Sequence, residues 1–255
     1  MLALERHRKI LELLQSRGSL RTVDLAKMLR VTDETMRRDF EKLEADGLLQ
    51  RSHGGVVRIE ATRRDIPSGE RETQNAAAKA KIARAALARV KPGQTIVMDA
   101  STTVLHLARL LPDEPLTVLT NSLQTATVLA AKPSIHVLVL GGRLQPRSLS
   151  CAGRQAEEML SSFRIDSAYL SCRGIHPVRG LSESSEDEAA LKRTVVRCAE
   201  EVCLLADASK WDLVSGYFFA QPADIDLWIT DRMPPLARRL RKDLPVEVAK
   251  EFKRG

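Results

Sequence analysis

Apolar residues recur at helical spacing through the first part of the chain. Over residues 3–16, Leu4, Ile10, Leu11 and Leu14 form an i, i+3/i+4, i+7 stripe, which predicts a helix ended by Gly18. Thr22 is placed to cap a second helix, with Val23, Ala26 and Leu29 facing inward. Val31-Thr32 reads as the turn into a third helix, which starts near Thr32 or Asp33, runs to Asp46 and stops at Gly47. Its inner stripe is Met36, Phe40 and Leu43. Leu48-Leu49-Gln50-Arg51 then reads as a short strand, Ser52-His53-Gly54-Gly55 as a turn and Val56-Val57-Arg58 as the returning strand. Three helices and a hairpin within residues 1–58 predict a winged helix-turn-helix.

Residues 59–75 are polar, carry a Pro67/Gly69 turn signal and have little to bury; they read as a linker, partly helical. From Ala76 the pattern changes to short apolar runs alternating with helical stretches. After a helix over about 76–90, strands are expected at Thr95–Met98, Leu116–Leu119, His136–Leu140, Ser167–Ser171, Glu201–Leu205 and Leu227–Ile229. Helices are expected between them at roughly 102–111, 122–131, 153–163 and 186–199. Such alternation implies an α/β domain over residues 76–255, with a mostly parallel sheet covered on both faces.

Composition narrows the class. A chain of 255 residues suits one small and one medium domain, and 44% hydrophobic with 29% charged residues describes a globular protein. No apolar run approaches the roughly 18 residues of a membrane span. The opening Met1-Leu2-Ala3-Leu4-Glu5-Arg6 turns charged at once, unlike a signal peptide. Cys151, Cys172, Cys198 and Cys203 form no C-x-x-C pair and have no His at metal spacing, so reduced thiols, no metal, no cofactor and a cytoplasmic location are expected. The net charge of +7 favours an anionic partner. Residues 1–58 hold twelve basic against nine acidic residues, so the cationic density is greatest there.

A helix-turn-helix lays its second helix in the major groove, where base edges present distinct donor and acceptor patterns. With Met36 at the buried zero of a wheel, Phe40 and Leu43 fall within about 40° of it. Glu34, Arg38, Glu41 and Lys42 then face outward, with Thr35 and Arg37 on the flanks. The candidate DNA contacts are Thr22, Thr32, Thr35, Arg37, Arg38 and Lys42, with Arg51, His53 and Gly54 at the hairpin tip. An Arg-Arg pair on a helix is commonly a solvated face, and Glu34, Asp39 and Glu41 weigh against DNA; the complete three-helix-and-hairpin pattern carries the reading.

In the larger domain the expected strands end in polar residues, and ligands of open α/β sheets bind outside such carboxyl ends. Asp99-Ala100-Ser101-Thr102-Thr103 opens a helix and forms an anion seat of backbone N–H groups, helix dipole and hydroxyls, although such a run also serves as a plain helix cap. Thr120-Asn121-Ser122, Gly141-Gly142-Arg143, Cys172-Arg173-Gly174 and Asp207-Ala208-Ser209-Lys210 follow later strands. The candidate effector contacts are Asp99, Ser101, Thr102, Thr103, Thr120, Asn121, Gly142, Arg143, Arg173, Asp207 and Lys210, a set suited to a small phosphorylated sugar or polyol. Plainer roles stand beside these: glycines that turn the chain, a surface Lys210, and Glu188/Lys192 as an i,i+4 ion pair.

Val31-Thr32-Asp33-Glu34-Thr35-Met36-Arg37-Arg38-Asp39-Phe40, then Leu43-Glu44 and Gly47 through Gly55, closely resemble the DNA-binding signature of DeoR-type bacterial transcriptional regulators, V-S-x-x-T-I-R-R-D-L followed by L-x-R-x-H-G-G. Thr32, Met36 and Phe40 replace Ser, Ile and Leu with chemistry and burial kept. Asp99 to Thr103 is similar to the D-x-G-[ST]-T signature of the DeoR-type sensor, with Ser101 where the family usually has Gly. Glu188-Ala189-Ala190-x-Lys192, Asp207-x-Ser209-Lys210 and Thr230-Asp231 follow in the family's order. The resemblance implies a Rossmann-like sensor similar to ribose-5-phosphate isomerase, glucosamine-6-phosphate deaminase and CoA transferases. It implies a non-enzymatic repressor of a carbohydrate operon, released from double-stranded operator DNA by a phosphorylated sugar or polyol and working as a homodimer or homotetramer. The alternative is an isomerase- or deaminase-like enzyme with a regulatory DNA-binding head, using Asp99, Glu188, Lys192, Asp207 and Lys210 as acid/base groups.

Overall fold

A computed structural model describes residues 3–17, 19–45, 49–52, 54–58, 66–234 and 244–250. The expected helix stops Gly18 and Gly47, and the candidate contact His53, lie outside the described residues. The chain divides into two compact units, residues 1–63 and 64–255.

In the first unit, α1 (Ala3–Arg17), α2 (Thr22–Leu29) and α3 (Asp33–Ala45) pack around Ile10, Leu14, Leu25, Leu29, Met36, Phe40 and Leu43. Leu25, not Val23, completes the inner face of α2; Val23 is 49% exposed because the helix phase turns it outward. Thr22 is the first helical residue rather than the cap: Arg21 holds that position, without a side-chain cap bond. The α2–α3 turn passes through Arg30, whose left-handed backbone (φ 54°) ends α2. Strand β1 (Ser19–Arg21), invisible to the sequence pattern, joins β2 (Leu49–Ser52) and β3 (Gly55–Arg58) in an antiparallel sheet of order β1-β3-β2. Gly55 is required there, since a Cβ on it would lie 2.1 Å from the carbonyl oxygen of Leu20. The wing is tied to α2 as well, because the Thr22 N–H donates to the Gly54 carbonyl at 2.9 Å.

The second unit starts with the short helix α4 (Ser68–Thr73) and α5 (Ala76–Leu87). Its sheet uses β4 (Thr95–Met98), β5 (Leu116–Thr120), β6 (Ile135–Val139), β9 (Ile165–Leu170), β12 (Ala199–Leu205), β14 (Leu227–Thr230) and β15 (Val246–Val248). All seven run parallel, in the order β15-β14-β12-β9-β4-β5-β6. Helices α6 (Thr102–Leu110), α7 (Leu123–Leu129), α8 (Arg154–Leu160) and α9 (Glu186–Cys198) connect its strands. One apolar cluster around Ile82, Ala86, Met98, Val104 and Tyr169 lies on one face, and another around Val97, Leu160, Leu170, Leu191, Val195 and Trp228 on the other. The expected strands and helices appear within a few residues of their predicted bounds, as the six apolar runs require. A hairpin, β7 (Arg143–Gln145) with β8 (Ser150–Ala152), and a small antiparallel sheet of β10 (Gly174–His176), β11 (Gly180–Glu183) and β13 (Tyr217–Ala220) were not expected. Strand order reverses between β4 and β9: successive strands lead from β4 to one edge and from β9 to the other. That is where open α/β sheets leave a crevice at their carboxyl ends.

Candidate functional site

In the first unit, α3 is set up by Thr32, whose Oγ1 accepts from the Thr35 N–H at 3.2 Å and meets the Thr35 hydroxyl at 2.9 Å. Arg37, Arg38 and Lys42 are exposed, and Thr35 is half-buried beside them. Arg38 lies 3.4 Å from Glu34, and Arg51 on the wing meets Glu41 of α3 at 2.9 Å. Asp39 belongs to the interior: it accepts from Arg6 at 3.0 Å and lies 2.9 Å from His7 Nε2, both on α1. Burial pushes its carboxyl up, but the hydrogen bonds from Arg6 and His7 more than offset this and hold it below the ordinary carboxylate value. Asp39 is therefore the bolt between α1 and α3 and does not present its charge on the exposed face of α3.

In the second unit, Asp99 follows β4 directly. Its Oδ1 accepts from the Ser101 N–H at 2.9 Å, and its Oδ2 from the Ser171 N–H, just past β9, at 2.8 Å. It thereby bridges the two strands at the reversal point. Lys192, on α9, reaches the same place: its Nζ lies 2.9 Å from Asp99 Oδ2, donates to the Ser171 carbonyl at 2.7 Å and pairs with Glu183. Burial works against the charge on Lys192, and Asp99, Glu183 and Glu188 outweigh it, so its proton is held more tightly than an ordinary lysine's. Glu188 is not its hydrogen-bonded partner; the Glu188 carboxylate accepts from Ser150 instead, so the pair is not a plain i,i+4 bridge. Burial raises the Glu188 carboxyl, against the pull of Lys192.

Above this cluster opens a cleft lined by Ser101, Ser148, Arg173, Ser185, Glu183 and Glu188, with Arg71 of α4 at its wall. Ser101 caps α6, its Oγ accepting from Val104 N–H at 3.2 Å, and Ser185 caps α9 at 3.5 Å from the Glu188 N–H. Two helix N-termini thus meet in one pocket, where orphan N–H groups and the helix dipoles favour an anion. Arg173 enters beside them, 3.6 Å from Glu183. The serine that stands where a glycine was expected is accounted for: its hydroxyl is the cap of α6.

The structure thus brings Asp99, Ser101 and Arg173 together. Thr102 and Thr103 are buried in the first turn of α6 and do not line the cleft. Thr120 donates to the Met98 carbonyl at 2.7 Å, and Asn121 to the Cys151 carbonyl at 3.1 Å. Asn121 borders a small void beneath the cleft together with Asp99, Glu188 and Lys192. Gly142 backs onto the Ala152 backbone, and Arg143 is exposed and paired with Asp187. Asp207 bonds Ser209 and Asn75, and Lys210 follows it outside the cleft lining. Sequence reasoning missed Arg71, Ser148, Glu183 and Ser185 as lining residues. The Glu183-Ser184-Ser185 run before an amphipathic helix is a capping signal that pointed to the last two. The four cysteines are free, and among the described residues no cluster of metal-binding side chains occurs.

Residues 6–62 match the DeoR-like helix-turn-helix domain, and residues 74–232 match the DeoR C terminal sensor domain. The chain belongs to the DeoR family. This DeoR-family chain is 40% identical over 249 residues to the uncharacterized HTH-type transcriptional regulator YulB of Bacillus subtilis (strain 168), covering 97% of this chain and 96% of that protein. It is 35% identical to the HTH-type transcriptional repressor GlcR of the same strain, covering 90% and 89%. It is 34% identical to the L-fucose operon activator of Haemophilus influenzae (strain ATCC 51907 / DSM 11121 / KW20 / Rd), covering 89% and 91%. Among solved structures, ribose 5-phosphate isomerase A from Methanocaldococcus jannaschii is similar at 17% identity and a TM-score of 0.41, covering 54% of this chain and 55% of that one. Membership in the family makes the chain a DNA-binding transcriptional regulator with a sensor domain, and decides against the enzymatic alternative. Among the described residues no helix is long and apolar enough to cross a membrane.

Proposed function

We propose that the chain represses a carbohydrate-metabolism operon in the cytoplasm and releases its operator when a phosphorylated sugar or polyol enters the cleft at the β4/β9 reversal. One observation carries this: two serine-capped helix N-termini, Arg173 and the carboxylates of Glu183 and Glu188 share one pocket. The N–H groups and the cation suit a phosphate, and the carboxylates accept from polyol hydroxyls. Names among the relatives, such as a repressor and an L-fucose operon activator, support a sugar-linked operon. In this reading residues 1–58 bind DNA, 59–75 link and 76–255 sense. Thr22, Thr32, Thr35, Arg37, Arg38, Lys42, Arg51, His53 and Gly54 are the DNA contacts, working in pairs on a homodimer or homotetramer, since paired modules read half-sites about one helical turn apart.

A thermal-shift screen against a panel of sugar phosphates tests the reading, because a ligand that binds the native state stabilises it by mass action. A hit that also lowers operator affinity supports it. A panel without hits, or a hit that leaves operator binding unchanged, overturns it.

A further inference from the structure

We infer that Arg71 supplies a second cation to the anionic group of the effector, and that a bound effector thereby holds α4 in place. This rests on the cleft being the effector site. Arg71 lines the same cleft as Arg173, Ser101 and Ser185, yet it comes from a separate element, α4, the first helix of the second unit.

The charges in the cleft show why a second cation matters. Lys192 is engaged by Asp99 and Glu183, and Glu183 also faces Arg173. A phosphate dianion entering beside Glu183 and Glu188 meets carboxylates already close at hand, and the positive groups that line the cleft besides the engaged Lys192 are Arg173 and Arg71. Two guanidiniums in one lining offer the planar, fork-shaped donors that phosphate oxygens accept.

The composition of α4 shows why its position depends on such contacts. Its sequence, Ser68-Gly69-Glu70-Arg71-Glu72-Thr73, contains no apolar side chain. A helix this short is not self-supporting in water, and this one has no hydrophobic face to bury. Polar contacts hold it: the Ser68 N–H donates to the Arg147 carbonyl at 2.7 Å, Glu72 pairs with Arg109 at 2.6 Å, Arg71 Nε donates to the Ile66 carbonyl at 3.1 Å, and Lys79 donates to the Arg71 carbonyl. A charge-assisted contact made when the cleft fills adds to these polar contacts.

The test uses the full chain with inorganic phosphate as probe, followed by calorimetry and by hydrogen exchange of residues 68–73. Arg71→Gln and Arg173→Gln should each weaken phosphate binding roughly tenfold or more, as expected for losing a charge-assisted hydrogen-bonded partner. Arg71→Lys, which keeps the charge and loses the fork, should bind phosphate more weakly than the parent and more tightly than Arg71→Gln. Phosphate should slow exchange in α4 of the parent and leave it unchanged in Arg71→Gln. If Arg173→Gln loses phosphate while Arg71→Gln binds it as the parent does, the role of Arg71 falls and the effector cleft stands. If phosphate binds the parent without slowing exchange in α4, the holding role falls. If the parent ignores phosphate, or neither variant changes its binding, the cleft reading falls together with the inference.

Discussion

The ammonium of Lys192 and the carboxylate of Asp99 meet at 2.9 Å where strand order reverses, with both side chains 5% exposed or less. Asp99 holds the N–H groups of Ser101 and Ser171 at the same time, so one carboxylate fixes the start of α6, the end of β9 and the buried lysine. Lys192→Met leaves Asp99 buried without its counter-charge and Glu183 with Arg173 alone, and removing one partner of a buried ion pair costs about 3–5 kcal/mol. Urea unfolding should show a clearly lower midpoint at an unchanged slope. An unaltered midpoint would mean that the carboxylates are satisfied without Lys192.

Asp39 joins α1 to α3 through Arg6 and His7. Asp39→Ala removes charged hydrogen bonds and should destabilise the DNA-binding unit by about 1.5–3 kcal/mol. The folded carboxyl titrates below its ordinary value of 3.8. A depressed acid contributes stability that is present above the unfolded value and is lost as pH falls through the lower, folded one. Acid unfolding of the parent should therefore steepen below about pH 3.8, and Asp39→Ala should lack that component; identical acid profiles would remove the carboxylate from the account.

Gly54 and Gly55 differ in kind. Gly54 has a positive φ of 85° with open space around its missing Cβ, whereas Gly55 is pressed against the Leu20 carbonyl. Gly55→Ala must part β1 from β3 and should cost about 1–3 kcal/mol, as overpacking does, with DNA binding lost at physiological temperature. Gly54→Ala should retain the wing sheet with a smaller loss. Circular dichroism melts of both variants measure the order, and a reversed order would contradict the backbone approach at Gly55.

Arg38 is 77% exposed and lies 3.4 Å from Glu34. Arg38→Ala should weaken operator binding; a base contact shows as a loss of about 1–3 kcal/mol of discrimination at one base pair, a phosphate contact as equal loss on all sequences. Glu34→Gln should strengthen binding to random duplex, since it removes a negative charge from the same face. Affinity should fall linearly with the logarithm of salt as counterions are released. Anisotropy titrations across a salt series measure all three, and a flat salt profile would contradict the groove contact.

Apolar periodicity made much of the fold legible. Met36, Phe40 and Leu43 marked the buried side of α3, and the runs at Thr95–Met98 and Leu116–Leu119 marked central strands. Where the pattern was short it misled or fell silent. Val23 was placed inward because α2 spans only eight residues, and β1, β7, β8 and β10 have three residues each, too few to show alternation. The part played by Asp39 depends on partners more than thirty positions away. The cleft was legible at Ser101 and Arg173, and the void beneath it at Asp99, which sit at strand ends and a helix start. Glu183 and Arg71 escaped because they come from an irregular antiparallel piece and from a polar stretch whose composition marks it as connecting chain.

Strand β15 covers the free side of β14, pairing Trp228 with Val246 and Thr230 with Val248. The ribosome must therefore read past codon 248 before β14 acquires its outer neighbour, and only then are the bare amides and carbonyls of this border confined to a three-residue strand. A premature stop or a bulky fusion just upstream of that point would harm solubility before it harmed sensing.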